Sequence, residues 1–161
     1  MKVNKEIAIT CEKSRLEDKI LPLLKEKVFH VTSSEAYQAM VGDGMIKSNI
    51  NSCYKYTFPQ SEVSYGVKRG YICLFDLRNK SDDVVEKALM KFYFLKPFHY
   101  QNVSVFLILS PRFYSNLIYD TQAKEEIGWK EIYIPHVECW YPGNIPLEYI
   151  DEVIEVTTTE F

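Results

Sequence analysis

His30 is the first side chain whose setting suggests chemistry. It stands near the end of the run VFHV, directly before a Thr-Ser-Ser corner and a short helical stretch. A strand, a sharp corner and a helix together are a frequent way of presenting a side chain to a cleft. A neutral imidazole placed there offers one hydrogen-bond donor and one acceptor. Four cysteines, Cys11, Cys53, Cys73 and Cys139, and three histidines, His30, His99 and His136, lack the short ligand spacings of a zinc site. A thiol hydrolase would have to bring Cys53 or Cys73 to His30 from a distant segment, and Cys139 beside His136 makes no convincing nucleophile and base. The aromatic run Tyr54, Tyr56, Phe58 and Tyr65 is of a type that stacks bases. In a chain with 12 tyrosines, packing of a long loop is the simpler account. Gly42 and Gly44 follow a helix instead of opening one, so they read as its end and not as a phosphate-binding loop.

Several elements must position these groups. Val28, Phe29 and Val31 suit a strand. The Thr-Ser-Ser corner supplies N-cap candidates, and Ala36, Tyr37, Met40 and Val41 share one helical face. Upstream, residues 3–10 read as a short strand or an ordered arm. Leu16, Ile20, Leu23 and Leu24 predict a helix within Glu12–Lys27, bent or interrupted at Pro22. The Ser-, Asn-, Tyr- and Lys-rich segment from Ile46 to Gly70 reads as a long loop, a frequent seat of function. YICLFDLR and Val103–Leu109 predict central strands, with a helix starting near Ser81 between them. Ser110-Pro111 fits the start of another short helix. EIYIPHVEC alternates as a strand with Ile132, Ile134 and Val137 inward and Pro135 forcing an edge or a bulge. On that alternation Glu138 points away from Val137, toward solvent. Lys68 and Arg69 read as a solvated charge pair, and the last residues as a closing strand.

The chain has 161 residues, 47% of them hydrophobic, enough for one domain with a sizeable core. An arm and helix over 1–27 would precede a core over 28–161. The net charge of −3 argues against a surface built for tight phosphate-backbone binding. No signal peptide or membrane span is evident, and the widely spaced cysteines read as reduced thiols, so a cytoplasmic protein is expected.

Taken in order, FHVTSSEAYQAMVGDGMIKSN, SYGVKRGYICLFDLR and VECWYPGNIPLEYI resemble the ordered blocks of the ADP-ribosyltransferase superfold, and most closely its DarT-like branch of small bacterial toxins and related transferases. That branch begins with a strand carrying H-x-T and a helix ending in glycine. It closes with an acidic residue on a late strand just before a proline-containing turn. The resemblance covers Val28 to the end of the chain.

What the resemblance implies is an α+β fold, a split and mostly antiparallel sheet with flanking helices, whose cleft binds NAD as a substrate. Nicotinamide would leave, and ADP-ribose would pass to a protein or nucleic-acid target. A carboxylate beside the ribose favours the positive charge that develops as the glycosidic bond breaks, and Glu138 matches it. His30 matches the histidine that binds a ribose hydroxyl. The backbone of Val31 matches the nicotinamide clamp, although many relatives have glycine there, and Thr32 supports the nucleotide. Stacking on nicotinamide falls to Tyr65 or Tyr71, and a phosphate contact to Arg69; Tyr65 and Arg69 rank above Tyr71, which sits in the apolar run. A toxin or phage-defence role, with an antitoxin as partner, follows from the same resemblance. The alternatives are a catalytically silent binding module that kept the cleft and, third, the cysteine-dependent hydrolase.

Overall fold

Leu16, Ile20 and Leu24 lie on one face of a helix and are all buried, and that stripe decides where the first layer sits. The computed structural model describes residues 5–55, 63–96, 102–127 and 131–159. Strand β1 (Lys5–Glu12) runs through a tight turn into helix α1 (Leu16–Leu24). The helix is shorter than its periodicity suggested. Pro22 lies exposed in its last turn without interrupting it, and Glu26 at φ 62° turns the chain into β2 (Val28–Ser33).

Ser33 then caps helix α2 (Ser34–Asp43), its hydroxyl accepting the Ala36 N–H at 3.1 Å, and Gly44 at φ 72° ends the helix. The expected long loop is partly ordered: it contains the two-residue strand β3 (Met45–Ile46) and the short helix α3 (Tyr65–Lys68). Tyr56, Phe58, Pro59, Pro97 and His99 lie outside the described residues. Strand β4 (Tyr71–Asp76), helix α4 (Asp82–Lys91) capped by Ser81, and strand β5 (Val103–Leu109) follow as the patterning predicts. Pro111–Asn116 forms a tight helical segment. After it come β6 (Ile118–Tyr119), α5 (Asp120–Ala123), β7 (Glu138–Pro142), β8 (Ile145–Pro146) and β9 (Ile150–Thr159).

The fold is α+β with a mostly antiparallel sheet in the order β1-β9-β5-β2-β4-β7-β6, in which β1 and β9 alone run parallel. Helices α1 and α4 cover one face, packing Leu16, Ile20, Leu24 and Leu89 on Phe29, Phe75, Phe106 and Ile154. On the other face α2 and the small β3–β8 sheet bury Met40, Ile46 and Ile145 against Ile72, Leu74, Leu107 and Val153. Among the described residues no helix is long and apolar enough to cross a membrane.

The sheet opens between its two central strands. β2 pairs with β5 from Phe29–Ile108 to Ser33–Ser104, and β4 pairs with β7 from Tyr71–Pro142 to Phe75–Glu138. Between β2 and β4, however, the ladder holds only at Val28–Asp76 and Phe29–Phe75. Beyond that point the strands part, and main-chain groups in the gap need other partners.

The segment before β7 corrects the alternation argument. Pro135 to Val137 form a turn with His136 at φ 67°, and the strand begins only at Glu138. A turn resets the two-residue period, so Val137 and Glu138 are both buried where a continuous strand would have exposed one of them.

Candidate functional site

A cleft of about 350 Å³ occupies the gap between β2 and β4. Its lining comes from both layers of the fold: Met40 and Ile72 belong to the core on the α2 side, and Phe75, Phe94 and Ile134 to the core on the α1–α4 side. Directly opposed residues on paired strands point to the same face. Glu138, opposite Phe75, therefore reaches the cleft from the α1–α4 face, while His30, two residues beyond Val28, reaches it from the α2 face. Both line the same space, together with Val31, Thr32 and Tyr71.

The opening of the sheet explains the state of His30. Its Nδ1 lies 2.8 Å from the carbonyl oxygen of Cys73, a group that a β2–β4 ladder would otherwise have engaged. A carbonyl only accepts, so Nδ1 carries the proton and Nε2 is left as an acceptor. Burial holds the imidazole pKa below its ordinary value, against a smaller opposing effect of the Cys73 bond. The ring is thus neutral and fixed in one tautomer.

Glu138 is held differently. Its Oε1 accepts the Ile134 N–H at 3.3 Å and its Oε2 the Trp140 Nε1–H at 2.9 Å. Burial raises its pKa to about 8, and these two bonds counteract only part of that effect. At neutral pH the group is therefore mostly the protonated acid. A cation entering the cleft would draw the proton off.

Tyr65 and Arg69 are not in the lining, which reverses their rank relative to Tyr71. Ser64 caps α3, and Tyr65 turns inward against Trp140 with ring centroids 4.5 Å apart. The Tyr65 hydroxyl donates to Glu126 at 2.9 Å. Arg69 stacks 4.0 Å over the Tyr65 ring, pairs with the Glu131 carboxylate, and donates to the Glu126 carbonyl. It is a partly buried tie between two segments, not half of a solvated pair. Gly66 allows α3 to lie this close, since a methyl group there would overlap the Trp140 indole and come within 2.9 Å of the Cys73 sulfur.

The lining also includes residues the sequence did not single out. Phe92, Tyr93, Phe94 and Tyr133 extend its aromatic wall, and Lys47, Lys55 and Lys91 bring positive charge. Trp140 was legible in principle, because a residue two positions along a strand from Glu138 shares its face. The Cys73 thiol lines the cleft too, but burial and the nearby Glu138 push its pKa well up. Its sulfur lies 4.0 Å from the Ser64 hydroxyl, and it is the Cys73 carbonyl that meets His30. A thiol kept protonated in this way is poorly suited to nucleophilic attack. No cluster of metal-ligating side chains occurs among the described residues. In comparisons with known proteins, no family model, curated protein or solved structure matches the chain.

Proposed function

We propose that the cleft binds NAD and that the protein breaks the nicotinamide–ribose bond, passing ADP-ribose to a macromolecular target. The observation that carries this reading is that His30 and Glu138, from opposite faces and distant parts of the chain, line one cleft of ligand size. His30 Nε2 accepts a hydrogen bond from a ribose hydroxyl, and Tyr71 and Tyr133 supply faces for the nicotinamide ring. The lysines of the lining offset the charge of the diphosphate.

The nicotinamide ring of NAD is cationic, so its entry favours the ionised form of Glu138. As the C1′–N bond breaks, its electron pair leaves with nicotinamide and positive charge moves onto the ribose. A carboxylate beside it stabilises that charge in the transition state. A hydroxyl or other nucleophile of the target then bonds to C1′ and gives up its proton.

The test is incubation with nicotinamide-labelled NAD and cell extract. Glu138→Ala is expected to lower nicotinamide release by about 100-fold or more, with the fold retained. Equal release from both proteins removes Glu138 from the mechanism. One observation favours a second reading, a binding module without turnover: Glu138, the carboxylate the transfer step needs, is mostly the protonated acid at neutral pH. In that case NAD raises the melting temperature by mass action and no nicotinamide appears.

A further inference from the structure

The segment SYGVKR stands out in the sequence and yet contributes neither its tyrosine nor its arginine to the cleft. We propose that Trp140 is a positioning residue for Glu138 and that Tyr65 and Arg69 act on the cleft through it. The inference rests on the reading of the cleft given above. Its geometry, however, is independent of which ligand binds.

Trp140 is fully buried, and its indole N–H is one of two donors to the Glu138 carboxyl, the other being the Ile134 N–H. The indole has little room to move. Tyr65 packs on it at 4.5 Å, Tyr133 at 6.0 Å, and α3 presses on its edge at Gly66. Tyr65 is itself fixed by its bond to Glu126 and by Arg69 stacked on its ring, and Arg69 is tied to Glu131. The series Arg69, Tyr65, Trp140, Glu138 therefore leads from a charged tie near the surface to the one carboxyl group among the described residues of the cleft. An indole N–H can donate but not accept. It favours the ionised carboxylate over the acid, and does so most when Oε2 carries full negative charge.

The titratable groups facing Glu138 limit the alternatives. They are the Cys73 thiol on β4, the Cys139 thiol beside it on β7, His30 on β2, the tyrosines Tyr54, Tyr71, Tyr93 and Tyr133 of the lining, and Lys47, Lys55 and Lys91. Cys73 is held protonated and His30 neutral, so neither supplies a counter-charge. Burial is the larger influence on where Glu138 ionises, and the hydrogen bonds from Ile134 and Trp140 are what oppose it.

Two measurements test this. In nitrogen-15-labelled wild-type protein, one of the two tryptophan indole signals is expected to shift between pH 6 and 9 with a midpoint near 8, and that shift should vanish in Glu138→Gln. Trp140→Phe keeps a ring in place and removes the donor, so the midpoint for nicotinamide release should rise by about one pH unit. Tyr65→Phe should raise it by less. A purely packing role would lower the melting temperature of these variants and leave both midpoints in place. Indole signals that do not titrate, or an unmoved midpoint in Trp140→Phe, overturn the proposal. Should the indole titrate while no protein releases nicotinamide, the positioning role stands and the transferase reading falls.

Discussion

Asp76 and Glu138 are both buried carboxylates, at 5% and 8% exposure, on the adjacent strands β4 and β7. Asp76 is answered by a full cation: Arg78 donates to it from its backbone N–H at 2.9 Å, from Nε at 3.1 Å and from a terminal nitrogen at 2.8 Å. The same guanidinium reaches the Tyr119 hydroxyl at 2.7 Å and lies 3.9 Å over the Tyr114 ring. Among the described residues Glu138 receives two neutral N–H groups and no cation. The first arrangement sits inside the paired stretch of β2 and β4, at Val28–Asp76, and the second at its edge, opposite Phe75 at the last rung before the strands part. At the closed end the charge is satisfied by the protein itself. At the open end the group is held mostly as the neutral acid, and its charge develops with a cation that enters.

The largest effect should come from breaking the satisfied pair. Asp76→Ala leaves Arg78 partly buried with no counter-ion and is expected to cost about 3–4 kcal/mol in urea unfolding. A loss below ~1 kcal/mol would show that solvent already screens Arg78, and the contrast between the two carboxylates would weaken. The next effect is one of pH. The Glu138 pKa is raised on folding from its ordinary 4.5 to about 8, so the native state binds the proton more tightly than the unfolded chain. Its contribution to stability is therefore full at acid pH and is lost as pH rises from 4.5 through 8. Relative to Glu138→Gln, the wild type should lose about 3–4 kcal/mol between pH 5 and 8.5. Parallel stability curves for the two proteins would mean that Glu138 is not held as the acid.

Local signals carried the first half of the site. The strand at His30, the Ser33 cap and the glycine end of α2 each depend on residues within one or two turns of each other, and all three formed as their chemistry dictates. The orientation of Glu138 was not legible, because it hinges on the left-handed conformation of His136 in the turn before β7, which alternation cannot anticipate. Tyr65 and Arg69 were misplaced for another reason. Only the docking of α3 onto Trp140, which Gly66 permits, decides that they back the cleft wall instead of facing the ligand. Tyr71 was undervalued because an apolar run reads as core, whereas β2 has already diverged from β4 at that level and leaves Tyr71 half-buried in the lining.

The smallest expected effect concerns the histidine that bridges the parted strands. His30 joins β2 to β4 through one hydrogen bond, from Nδ1 to the Cys73 carbonyl, in place of a ladder. His30→Ala removes that bond and leaves the carbonyl facing the cleft, where water can reach it. The cost should be about 1 kcal/mol, well below that of Asp76→Ala. Amide hydrogen exchange gives a sharper measure. Loss of the bridge should raise exchange in β4 at Ile72–Leu74 and leave Phe75 and Asp76, on the paired side, protected. Faster exchange along all of β4 would instead mean that the closed end depends on the histidine as well, and that Asp76 with Arg78 does not anchor it alone.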